Sequence, residues 1–158
     1  MRKNKKRNHQ KHPVPNHKYK DRLFRLVFNN KRDLLDLYNA LNNTCYENPN
    51  DLEVNTLEDA VYLSMKNDIS FLIGGTLNLY EHQSTYNPNM PLRGLIYLAR
   101  LYDGYVETKN INLYSSSLKK LPIPQYFVFY NGTKEQPDET ILQLTDAFES
   151  VSDNRQPC

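Results

Sequence analysis

Apolar side chains fall at positions 19, 23, 24, 27 and 28, the spacing of one helical face, before Asn29-Asn30 interrupts the pattern. A second helical stripe follows over about residues 31–41, through Leu34, Leu35, Leu37, Tyr38 and Leu41. Asn42-Asn43-Thr44 ends it, and the Asn48-Pro49-Asn50-Asp51 cluster predicts a turn. Residues 52–57 alternate weakly, as a short strand would, and residues 58–66 fit strand and helix equally. From 68 to 84 the period becomes two, broken in the middle by Gly74-Gly75. That dipeptide supplies the positive φ angles of a two-residue hairpin turn.

A two-residue loop fixes the register of the hairpin. Ile73 faces Thr76, Leu72 faces Leu77, Phe71 faces Asn78, Ser70 faces Leu79 and Ile69 faces Tyr80. One step further out, Asp68 faces Glu81. Directly opposed side chains lie about 4.5–5.5 Å apart at Cβ, so two carboxylates there repel unless a cation or a shifted pKa relieves them. Gln83 projects on the same side as Glu81, because strand side chains alternate. Asp68, Glu81 and Gln83 thus converge at one end of the ribbon. Ile69, Phe71 and Ile73 form one apolar face, and Leu72, Leu77 and Leu79 with Ser70 the other, which predicts a sheet covered on both sides.

Beyond the hairpin, Asn87-Pro-Asn-Met-Pro91 reads as a helix start, with Asn89 as N-cap and Pro91 in the first turn. The helix runs to about residue 106 through Leu92, Leu95, Ile96, Ala99 and Tyr102. Residues 115–124 form a loop, residues 125–130 an apolar strand, and Asn131-Gly132 closes it. A turn at Pro137-Asp138 precedes a short apolar run at 141–144, and the polar residues 149–158 are expected to fray. The order of elements predicts one α/β domain with a mixed central sheet and helices on both faces.

Charge sharpens this picture. The chain has 20 basic and 18 acidic residues, but residues 1–20 hold eight of the bases and no acid. The body is therefore acidic, at a formal −6, behind a basic tail that is expected to be disordered over residues 1–18. Such a tail is either merely solvated or an arm that touches phosphates without sequence preference. Its histidines, His9, His12 and His17, have no cysteine beside them and no fixed geometry, so they do not read as a metal site. Two cysteines, Cys45 and Cys158, make no disulfide framework, and no segment has the length of apolar chain needed to cross a bilayer. No signal-peptide pattern opens the chain, so a reducing cytoplasm is the expected location, with no membrane partner.

The chain as a whole resembles the PD-(D/E)XK nuclease superfamily, and within it the recombination-promoting nuclease and transposase-like branch. The resemblance is carried by Tyr19-Lys-Asp21-Arg-Leu-Phe-Arg, Met65-Lys-Asn-Asp68-Ile-Ser-Phe, Leu79-Tyr-Glu81-His-Gln83-Ser-Thr, Asn87-Pro-Asn-Met-Pro-Leu-Arg93 and Phe129-Tyr-Asn-Gly-Thr-Lys-Glu-Gln-Pro137. Together these cover most of residues 19–148. The resemblance implies a restriction-endonuclease-like core and magnesium-dependent cleavage of DNA, with manganese as a substitute ion. It implies Asp68 and Glu81 as metal-binding acids, the backbone carbonyl of His82 as a further ligand, and Asp21 as an outer acid. Gln83 stands where the superfamily places a lysine, so it cannot act as a cationic activator of water. The family's usual length implies that residues 149–158 end a shortened product. Oligomeric state is left open, a homodimer included.

The chemistry suits these residue types. Magnesium takes hard oxygen ligands, needs only one or two carboxylates, and keeps several waters. Bound between Asp68 and Glu81 it would acidify a water and neutralise phosphoryl charge, and the Gln83 amide would orient that water or the phosphate. Each residue also has an ordinary explanation: Asp68 as a strand-opening Asp, Glu81 and Gln83 as a solvated strand end. His82 points to the opposite face, where packing explains it, and Lys66, Lys119 and Lys120 read first as solvated lysines. Because the body is acidic, the basic tail is the strongest electrostatic anchor for DNA. A catalytically impaired module of the same fold, binding DNA or a protein, is the alternative reading.

Overall fold

The computed structural model describes residues 30–54 and 69–149. Helix α1 spans Lys31–Asn42, strand β1 Glu53–Val54, β2 Ile69–Ile73, β3 Thr76–Gln83, helix α2 Met90–Thr108 and strand β4 Ile123–Tyr130. Short 3-10 turns occupy Pro49–Asp51 and Leu144–Ala147. The four strands form one mixed sheet in the order β1-β2-β3-β4, with β1/β2 and β2/β3 antiparallel and β3/β4 parallel. Helix α2 is the crossover that a parallel β3/β4 pair requires. The expected α/β architecture with a mixed sheet is therefore present. The expected helix over 19–28, with Asp21, lies outside the described residues, as do residues 55–68 and 150–158.

Local chemistry explains the element ends. Asn30 caps α1 by accepting the Arg32 amide at 2.9 Å, and Asn43 ends it in the left-handed region at φ 52°. Asn39 then pins the following loop, donating to the Tyr46 carbonyl and accepting from Thr44 Oγ1 and the Tyr46 amide. In the hairpin, Gly74 and Gly75 take φ angles of 56° and 82°, and the register runs as the sequence predicts from Ile73↔Thr76 to Ile69↔Tyr80.

Asn89 is the N-cap of α2 as expected, with Pro91 in the first turn, but its side chain makes no capping bond; the Asn87 side chain instead accepts the Asn89 amide at 2.9 Å. One expectation is corrected. Strand β4 begins at Ile123 rather than 125, so Pro124 lies inside it, opposite Leu77. Proline is tolerated there because β4 is the edge strand of the sheet among the described residues, and its missing N–H can face away from the ladder.

The sheet is covered on both faces. On one side Ile69, Phe71, Ile73 and Tyr80 pack with Leu34, Leu35 and Tyr38 of α1. Aromatic edges meet there in a chain: Tyr38 to Phe71 at 6.0 Å between centroids, Phe71 to Tyr80 at 5.1 Å, and Tyr80 to Phe127 at 5.5 Å. Each such T-shaped pair adds about 0.5–1.5 kcal/mol to the area it buries. On the other side Leu77 and Leu79 pack against Tyr97 and Leu101 of α2, with Leu72 and Tyr126 beside them. Tyr102 ties α2 to the entry of β4 by donating to the Pro122 carbonyl at 2.6 Å.

Candidate functional site

Alternation along β3 puts Leu77, Leu79, Glu81 and Gln83 on the α2 side, and Tyr80 and His82 on the α1 side. Glu81 is thus carried by its own strand into an apolar layer, where only 3% of it is exposed. A carboxylate so buried needs partners on its oxygens. Arg93 Nη2 lies 2.5 Å from Glu81 Oε1, and the Tyr126 hydroxyl donates to Glu81 Oε2 at 2.5 Å. These residues come from α2 and β4, so the acid joins three elements.

Each partner is itself held. Arg93 Nε and Nη2 donate to the Tyr97 hydroxyl at 3.4 and 3.1 Å, and the guanidinium lies 5.6 Å from the Tyr97 ring centroid. Arg93 Nη1 meets only the Met90 sulfur, at 3.7 Å, among the described residues. The Tyr126 ring lies against Gly94, where a Cβ would collide with ring atoms Cδ1 and Cε1. Glycine is therefore what lets the tyrosine reach the acid. Burial raises the Glu81 carboxyl above its ordinary range, against the Tyr126 bond and the Arg93 charge, which lower it. For Arg93 burial works downward, but the Tyr97 bond and the Glu81 charge outweigh it, and its pKa is raised.

The expected cluster is only partly within view. Glu81 and Gln83 share a face, with Gln83 half-buried at the strand end, where its carbonyl accepts the Asn131 amide at 3.0 Å. His82 is buried, with 9% of it exposed. Asp68, Asp21 and Lys66 lie outside the described residues. Lys119 and Lys120 are exposed in the loop before β4, and Lys119 donates to Ser117 Oγ. Among the described residues, no three His, Cys, Asp or Glu side chains gather around one point. The ordinary explanation of Glu81 as part of a solvated strand end is corrected: the acid is buried, and the Arg93 guanidinium faces it.

Arg93, Tyr126 and Gly94 were not singled out from the sequence as members of the site. A signal existed for the helix residues, since 90, 94, 97 and 101 are buried along one stripe of α2.

Glu81 suits a divalent ion in donor type, being a hard carboxylate. Its two oxygens offer about four lone-pair directions, and Arg93 and Tyr126 use one each. Carboxylates that bind metals are commonly steadied by such outer hydrogen bonds. No protein-family model, curated protein or solved structure matches this chain. Among the described residues, no helix is long and apolar enough to cross a membrane.

Proposed function

We propose that this chain is a metal-dependent endodeoxyribonuclease of low sequence preference, built on a restriction-endonuclease-like core and acting in recombination or mobile-element biology. One observation carries the reading. The hairpin register is fixed pair by pair as far as Ile69↔Tyr80, and the residues next to that pair in the sequence are Asp68 and Glu81. A buried glutamate at that point, steadied on both oxygens, supports its assignment as a metal-holding acid. Asp68 and the His82 carbonyl complete the assigned ligands, with Asp21 as an outer acid.

Magnesium, when bound, supplies an acidified water and relief of phosphoryl charge. The chain supplies the rest. Glu81 keeps one orientation because Arg93 and Tyr126 fix its two oxygens, so no reorganisation is needed at the moment of reaction. Gln83, on the same face at the half-buried strand end, has an amide that can accept from water and donate to phosphate. The leucines beneath, Leu77 and Leu79, keep bulk water from the inner side of the acid.

A second reading is favoured by the Arg93–Glu81 pair, which leaves those two groups without net charge. On that reading the chain is a catalytically impaired module of the same fold that binds DNA or a protein partner. Supercoiled plasmid incubated with the purified protein, with and without magnesium, separates the two. Nicking that needs the metal and disappears in Asp68→Ala supports the nuclease. Binding without nicking selects the module, and equal nicking by both proteins sinks the assignment of Asp68.

A further inference from the structure

Arg93 spans two environments. Its partner Glu81 is 3% exposed, yet its own side chain is 35% exposed, so the arginine side chain joins a buried acid and solvent. A guanidinium carries five donor hydrogens in a rigid fork that matches the oxygens of a phosphate. Nη2 and Nε are engaged by Glu81 and Tyr97, but Nη1 has only a methionine sulfur at 3.7 Å among the described residues. A thioether is a weak acceptor, and a phosphate oxygen is a far stronger one. The Nη1 corner of the fork is thus underused.

We infer that Arg93 is a phosphate-binding residue, shared between Glu81 and a phosphodiester of the bound DNA strand. The inference rests on the nuclease-fold reading for its choice of ligand. Glu81 then has two duties: it places the guanidinium, and it competes for it. While no DNA is present the carboxylate holds the positive charge, which keeps a lone arginine from being stranded in an apolar layer. A phosphodiester that takes Nη1 draws the same charge outward and leaves Glu81 less compensated, which favours a cation beside it. DNA and metal would then bind each other's complex better than either binds the bare protein, and such coupling is reciprocal.

The competition gives two variants opposite effects. Glu81→Gln keeps the shape and one accepting oxygen while removing the rival anion, its amide NH2 donating to the Tyr126 hydroxyl in place of the second accepting oxygen; Arg93→Gln removes the charge. The test is anisotropy titration of the full chain with a short fluorescein-labelled duplex, in EDTA, at several salt concentrations. Glu81→Gln is expected to bind roughly threefold or more tighter than wild type. Arg93→Gln is expected to bind on the order of tenfold weaker, with the salt slope lowered by about one phosphate contact. Arg93→Lys, which retains a charge, should keep most of the slope and serves where Arg93→Gln melts early. An unchanged slope in Arg93→Gln overturns the inference, as does a Glu81→Gln variant that binds no tighter than wild type. Wild-type protein that nicks no plasmid in magnesium, with these binding effects intact, would sink the nuclease reading alone. Nicking retained without them would sink this inference alone.

Discussion

Arg93 and Glu81 meet at 2.5 Å, and the acid is almost wholly buried while the base is one-third open. That asymmetry decides which loss hurts more. Arg93→Met leaves a carboxylate in an apolar layer with only the Tyr126 hydroxyl to answer it. Stranding one member of a buried pair costs about 3–5 kcal/mol. Partial exposure of Arg93 softens this through solvent screening, so about 2–3 kcal/mol is expected. Urea denaturation measures it. The double variant Arg93→Met/Glu81→Gln should recover part of the loss, because no charge is then left unpaired. A double variant less stable than the sum of its parts would mean the pair is not what Arg93 contributes.

Gly94 is predicted to be the least replaceable residue of α2. Alanine normally stabilises a helix interior by roughly 0.5–1 kcal/mol relative to glycine. Here its methyl would enter the Tyr126 ring. Overpacking of that kind costs about 1–3 kcal/mol, so Gly94→Ala should destabilise despite the better propensity. Gly104, with nothing within 4 Å of its Cβ position, is the internal control, and Gly104→Ala should stabilise. Thermal melting of the two variants in opposite directions is the expected result. A stabilised Gly94→Ala would show that Tyr126 can leave Glu81 without loss.

The two turn glycines should separate in the same way. Both have positive φ, so alanine strains the backbone at either, by about 1–2 kcal/mol. Only at Gly74 does the new Cβ also strike a neighbour, the Tyr46 hydroxyl, while Gly75 has open space. Gly74→Ala should therefore lose more stability than Gly75→Ala. Truncating the obstacle with Tyr46→Phe should narrow the difference. Equal losses at 74 and 75 would place the whole cost in the backbone.

The hairpin was legible because its determinants are local. A Gly-Gly pair and period-two alternation specify turn, register and both faces within 15 residues, and Ile69↔Tyr80 follows without tertiary information. The ends of α1 were legible for the same reason, through Asn30 and Asn43. The site was legible only on one strand. Glu81 meets Arg93 and Tyr126, which lie 12 and 45 positions away, and pairing at that range is set by how α2 and β4 dock on the sheet. Read as a strand end, Glu81 looks solvated; only the parallel β4 at its side makes it interior. Pro124 hid the true start of β4, since proline argues against a strand until the strand is known to be an edge.

The pH dependence of stability tests the electrostatics of the acid directly. Burial raises the Glu81 carboxyl above its ordinary value of 4.5, outweighing the Tyr126 bond and the Arg93 charge. A raised value means that the folded chain holds this proton more tightly than the unfolded chain does. Stability from the group is then fully present below about 4.5 and is lost as pH rises through the folded pKa. Glu81→Gln removes the titration and keeps the shape. The stability of wild type relative to Glu81→Gln should therefore be greatest in acid and decline toward neutral pH. Urea midpoints of both proteins across that range provide the comparison. If wild type instead gains on the variant as pH rises, the guanidinium rather than burial governs this carboxylate.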